Sequence, residues 1–299
     1  MVPLTLAATQ AHPEPRADLR APAAEALRLP VGDGRWSTTG PRKGWVYVCP
    51  RYGSAMRTAH RPSETTRARQ PWFSADGQWY FPGRKPVVTG DEHHHDASLT
   101  VHNHGNTLTV TTASLPLEHG TGIFPIGATD IAYQYDRNPN TIRAVDLTFQ
   151  LQDQPAAAPR CVTNQVGVML TGPLLLSALD AAGRDAGAWE VQDRCAGHPE
   201  AQGTYHYHTA SACGTNNEPA TEIIGWALDG NPITGARTRS GRQLMTADLD
   251  ECHGTTGLVR TTAGMRERYH YVMTADYPYS VGCFRGTPAR PTEGGRSEP

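Results

Sequence analysis

Gly203-Thr204-Tyr205-His206-Tyr207-His208 alternates two tyrosines with two histidines. In an extended segment, successive side chains point to opposite faces. His206 and His208 then share one face, and Tyr205 and Tyr207 share the other. Two imidazoles at i, i+2 can grip one metal ion, and two tyrosines behind them can fill a core. The stretch therefore reads as a half-chemical, half-structural strand.

Strands also dominate around it. Ile223-Ile224-Gly225-Trp226-Ala227-Leu228 and Asn231-Pro232-Ile233-Thr234 flank Asp229-Gly230, a strong hairpin signal. Leu99–Asn103 and Thr107–Thr111 flank His104-Gly105-Asn106 in the same way. Arg143–Leu151 alternates apolar and polar residues as a half-buried strand does. Val166–Leu176 reads as two strands turning at Gly172-Pro173, and Trp45–Cys49 as an aromatic and β-branched strand. Arg268–Met273 is a last strand that repeats the order Tyr-His-Tyr. Ser177–Ala188 is helical or looped, and residues 50–90 read as long loops. With 30 Gly and 24 Pro the chain is rich in turns. The expected fold is all-β, a single sandwich-like domain with long disulfide-pinned loops. Residues 1–35 read as a flexible leader, with one short helix between Glu14 and Leu29 as an alternative. Residues 36–286 form the β domain, and 287–299 a disordered tail. No 20–50-residue repeat is evident.

Composition excludes several classes. A net charge of -2 with 19% charged residues offers no electrostatic case for nucleic acid or anionic membranes. No apolar run approaches the length of a membrane span. There is no Gly-rich phosphate loop, dinucleotide fingerprint, His-Glu-x-x-His helix or Gly-x-Ser-x-Gly elbow.

Cys49, Cys161, Cys195, Cys213, Cys252 and Cys283 include no C-x-x-C pair. Three disulfides in an oxidising compartment are the simplest reading. Six cysteines allow 15 pairings. Sequence proximity favours Cys195–Cys213 and Cys252–Cys283, which leaves Cys49–Cys161. Met1–Ala8 lacks the basic start of a signal peptide, so secretion or a periplasmic location is read from the cysteines.

The 13 histidines fall largely in clusters. Asp91-Glu92-His93-His94-His95-Asp96 reads as a solvated loop. His102 and His104 repeat the i, i+2 spacing, but His104 lies at a turn. The richest set is His198, His206, His208, His253 and His270, with Asp248, Asp250 and Glu251 nearby. Imidazole suits Zn, Cu, Fe and Ni, and three histidines with an open position make a catalytic site. The other reading of each histidine is a core residue bonded to a backbone carbonyl.

Several stretches, in order, resemble the YHYH domain family. They are Cys195-Ala196-Gly197-His198-Pro199, Gly203–His208, Ile224–Ile233, Leu249-Asp250-Glu251-Cys252-His253-Gly254, Tyr269-His270-Tyr271 and Tyr277–Gly286. Upstream, Gly122-Ile123-Phe124-Pro125 and Asn138–Ile142 fit as well, so the likeness covers roughly residues 98–286. Ala196 stands where Gly is usual, Asn231 where an aromatic is common, and His253 where Asn is common. The resemblance implies an exported, disulfide-bonded protein and brings little chemistry with it.

The residues themselves point to a divalent transition metal, copper or zinc, on His206 and His208. The third ligand is His198, His253 or His270. A hydrolytic enzyme would use Glu251 or Asp250 as base on a bound water. A copper oxidoreductase would place Tyr205 or Tyr207 near the metal. Either would act on an extracellular small-molecule or polymer substrate. The third class is a non-catalytic carbohydrate- or protein-binding surface protein.

Overall fold

The computed structural model describes residues 27–58 and 70–293. In chain order the early strands are β1 (Leu29–Pro30), β2 (Trp36–Ser37), β3 (Val46–Tyr47), β4 (Trp79–Tyr80), β5 (Leu99–His104) and β6 (Thr107–Thr112). The middle strands are β7 (Leu147–Gln152), β8 (Pro155–Arg160), β9 (Gln165–Met169), β10 (Leu174–Leu176), β11 (Gly197–Pro199) and β12 (Tyr205–Tyr207). The last are β13 (Ile223–Ala227), β14 (Pro232–Thr234), β15 (Gly254–Thr261), β16 (Gly264–Val272), β17 (Phe284–Gly286) and β18 (Thr292–Glu293). Among the described residues the α-helices are α1 (Pro50–Thr58) and α2 (Ala186–Trp189). The protein is all-β.

Eight strands form the main sheet in the order β11-β12-β10-β9-β13-β14-β16-β15, and four form a second in the order β18-β7-β6-β5. The alternation seen in the sequence explains how they pack. Val110, Phe149 and Leu151 from the small sheet share one buried core with Val168, Leu175, Ile233 and Tyr271 from the large one. Each such large apolar side chain contributes about 1.5–3 kcal/mol by leaving water. A second cluster, built on Trp72, Phe73, Phe124 and Trp189, covers the loop side.

The hairpin turns fall where Gly allows them: Gly105 and Gly230 adopt φ of 66° and 84°. Three disulfides tie Cys49 to Cys161, Cys195 to Cys213 and Cys252 to Cys283. No described helix is long and apolar enough to cross a membrane.

Three expectations change. Residues 50–58 form helix α1, started by Pro50 in its first turn, with Met56 buried in the core. Leu29–Pro30, expected in the leader, pairs with Trp79–Tyr80 because the Leu29 side chain has a buried place to go. Thr292–Glu293, expected in the tail, pairs with Leu147–Thr148. The short helix considered between Glu14 and Leu29 otherwise lies outside the described residues.

Candidate metal centre

Strand β12 lies between β11, to which it runs antiparallel, and β10, to which it runs parallel. The antiparallel register sets His198 directly opposite His206. The strand alternation sends Tyr205 and Tyr207 to the other face, both fully buried. His208 follows β12 and returns to the histidine face. His198, His206 and His208 are all buried, with ring nitrogens within 4.8 Å of one another.

Each anchoring bond fixes a tautomer. Nδ1 of His206 lies 3.0 Å from the Thr204 carbonyl oxygen, and Nδ1 of His208 lies 2.5 Å from that of Ser177. A carbonyl only accepts, so each Nδ1 carries a proton and donates it. The two Nε2 atoms then face one another across 3.1 Å. In neutral rings that is lone pair against lone pair. Nδ1 of His198 has no hydrogen-bond partner.

A residue absent from the sequence reading completes the group. Oε2 of Glu190 lies 3.2 Å from Nε2 of His198 and 3.1 Å from Nε2 of His208. Glu190 follows α2, whose N-terminus is capped by Asp185 accepting from the Ala188 amide. Nζ of Lys85 clamps the other end, donating to the carbonyls of Gly187 and Glu190 and to Oε1 of Gln192 at 2.6, 2.8 and 2.8 Å. No spacing rule links Glu190 to the histidines. Only the fold of the α2 turn brings it there.

The electrostatics follow from this crowding. Burial, added to the neighbouring His198 and His208 rings, holds His206 well below the usual histidine range. Burial works against charge on His208 too, but the Glu190 carboxylate overcomes it and raises this ring. Burial would raise Glu190, yet His198 and His208 hold it well below the usual carboxylate range. The group opens into a cavity of about 520 Å³ that Tyr52, Met56, Asn138, Asn164, Asp180 and Glu200 also line.

Other expected site residues lie elsewhere. His253 is buried and its Nε2 meets Oγ1 of Thr274 at 3.0 Å. Nδ1 of His270 meets Oγ1 of Thr234 at 2.9 Å. Both belong to the far half of the large sheet, so neither joins the three clustered rings. Asp250 and Glu251 are ion-paired with Arg285 at 3.0 and 3.3 Å and do not line the cavity. Tyr205 donates to Asp193 at 2.8 Å, and Tyr207 meets Nε2 of His119 at 2.9 Å. Strand alternation turns both hydroxyls away from the imidazoles, so neither stands where the oxidative reading needs it. His119 also lies within 4.8 Å of Cys195 and Cys213, but those sulfurs are bonded to each other. The His93–His95 loop is anchored by a bond between Nε2 of His94 and Thr121 rather than by a ligand cluster.

The fold and the site define an all-β, disulfide-bonded protein with a buried three-histidine cluster that can hold a metal. Residues 163–244 match the family described as YHYH protein. The matched span holds β9–β14 and all three clustered histidines. No curated protein and no solved structure matches the chain.

Proposed function

We propose that this chain is an exported metalloprotein that holds a divalent transition metal, zinc or copper, on Nε2 of His206, Nε2 of His208 and a ring nitrogen of His198. One observation carries the reading: the Nε2 atoms of two imidazoles whose Nδ1 protons are given to carbonyls face each other across 3.1 Å in a buried place, lone pair against lone pair when both rings are neutral. A cation between or beside them relieves that opposition, and three nitrogens with an adjacent carboxylate suit zinc and copper. An ion there would supply Lewis acidity and a bound water of lowered pKa. Glu190 is the group placed to take or return a proton, in the role that the sequence offered to Asp250 and Glu251. The activity favoured is hydrolysis of a polar extracellular substrate that fits the cavity. The disulfides support export, since such bonds persist in oxidising compartments.

The test is metal analysis of protein purified without an affinity tag, for the wild type beside His206→Ala/His208→Ala. About one equivalent in the wild type and none in a folded variant supports the reading. A wild type that stays metal-free after reconstitution with Zn²⁺ and with Cu²⁺ overturns it, and leaves the non-catalytic binding protein as the better account.

A further inference from the structure

The large sheet has a centre. β9 and β13 pair antiparallel at its middle through Met169↔Gly225, Val168↔Trp226 and Gly167↔Ala227. On one side the order outward is β9, β10, β12, β11, and on the other β13, β14, β16, β15. Counted along the chain, the first two strands of each half form a hairpin, the second runs parallel to the fourth, and the fourth runs antiparallel to the third.

The registers agree residue by residue. Val168↔Leu174 corresponds to Trp226↔Pro232, and Gly167↔Leu175 to Gly225↔Ile233. Leu175↔Tyr207 corresponds to Ile233↔Tyr271. Gly197↔Tyr207 corresponds to Gly254↔Tyr271, and His198↔His206 to Thr255↔His270.

Finer details agree too. Oδ1 of Asp193 accepts from the amides of Cys195 and Gly197, and Oδ1 of Asp250 accepts from those of Cys252 and Gly254. The residue between each Cys and Gly takes a left-handed φ, 64° at Ala196 and 70° at His253. Such a φ is uncommon in any non-glycine residue, and here it recurs at one equivalent point. Tyr205 donates to Asp193, and Tyr269 to Asp250. Tyr205–Tyr207 and Tyr269–Tyr271 are edge-to-face pairs at 5.7 and 5.3 Å. Each half is closed by a disulfide from the Cys of this loop.

We infer that β9–β12 and β13–β16 are two copies of one four-stranded unit, and that the second is a metal position stripped of its ligands. The comparison separates frame from chemistry inside one chain. The Asp, Cys, Gly and paired Tyr stand in both copies, so they hold the loop and strands together. His198 and His208 stand only in the first. Their counterparts are Thr255 and Val272, and His270 alone remains of the second set. With its partners gone, Nδ1 of His270 turns to the Thr234 hydroxyl instead of a strand carbonyl.

This rests on the reading of His198, His206 and His208 as ligands, so its test isolates the second copy. Thr255→His and Val272→His are introduced together into full-length His206→Ala/His208→Ala protein, and Co²⁺ is titrated by absorption. The expected result is one equivalent bound with the visible spectrum of nitrogen ligation, against none in the parent variant. A folded protein that binds no Co²⁺ overturns the equivalence. Failure of the native site alone would leave this graft unaffected, so the two failures are told apart.

Val272 is wholly buried beside Ala236 and Leu249, and the grafted protein can fail to fold. A second pair of variants therefore tests the frame. Asp193→Asn and Asp250→Asn should each lower the melting temperature by several degrees, by amounts within a factor of two. If either is neutral, the two loops do not do the same work and the duplication is rejected.

Discussion

Nε2 of His206 and Nε2 of His208 lie 3.1 Å apart, while the Nδ1 of each ring is committed to a backbone carbonyl. The two rings cannot both be neutral in this geometry without lone-pair repulsion. A proton or a metal ion has to be shared. Glu190, 3.1 Å from His208, biases the group toward either cation.

Glu190→Gln keeps the shape of the side chain and removes its charge. Metal affinity should fall by about 10–100-fold, as it does when a carboxylate supporting a histidine ligand is lost. Competition against a chromophoric chelator measures it. Unchanged affinity would remove Glu190 from the site.

Lys85 holds the turn that presents Glu190. Burial pushes its amine down to about 8, against the pull of Asp185, Glu190 and Asp136. Lys85→Met leaves the Gly187 and Glu190 carbonyls without this donor, at about 1–3 kcal/mol each. The expected outcome is a lowered melting temperature together with weakened metal binding. Arg in its place should not rescue either, because a planar guanidinium does not fit a compact three-acceptor cup. Calorimetry and the same chelator titration report the two effects.

Burial pushes His253 down to about 3 and His270 down to about 4. Above pH 6.5 both are neutral whether folded or unfolded, so they contribute no pH dependence. As pH falls below 6.5 the unfolded chain takes up protons that the native state refuses. Stability then falls with acidification, until the folded values are reached. The slope is at most about 1.4 kcal/mol per pH unit for each group. His253→Asn and His270→Asn should each flatten that slope between pH 4 and 6.5 in chemical denaturation series. An unchanged slope in both would show that other groups set it.

A Cβ at Gly197 would lie 2.1 Å from Cζ of Tyr205 and 2.2 Å from its hydroxyl oxygen, and one at Gly254 2.2 Å from the Tyr269 hydroxyl oxygen. Gly197→Ala and Gly254→Ala should each destabilise by about 1–3 kcal/mol, the usual cost of overpacking. Gly241 adopts a positive φ with open space around it, so Gly241→Ala serves as a control for backbone strain without a clash. Equal effects at all three positions would mean that the tyrosine contacts carry nothing.

Much of this protein is legible in the sequence. Alternation and Asp-Gly or Gly-Asn turns place the hairpins at 99–112 and 223–234, because period-2 patterning and turn chemistry are local properties. The same alternation puts His206 and His208 on one face and their tyrosines on the other. Helix α1 was not legible. Its composition is polar and short, and Met56 is held by core contacts rather than by propensity. Of the repeated unit the sequence shows only the recurring Tyr-His-Tyr order. What recurs is a register and a hydrogen-bonded frame, carried by a handful of Gly, Asp, Cys and Tyr residues among unrelated neighbours.

By itself, then, the sequence determined the strand faces, the six cysteines available for bonding and the pair of imidazoles at the centre. It left His198, His253 and His270 equivalent as third ligands. The tertiary structure brings only His198 to the pair, because the β11–β12 register sets it across from His206 while His253 and His270 belong to the other half of the sheet. It also places Glu190 beside the histidines, and Asp250 and Glu251 in ion pairs with Arg285 away from their cavity. The reason is physical: side-chain direction is set by neighbours along the chain, whereas a cluster of charges and lone pairs is set by which distant strands meet.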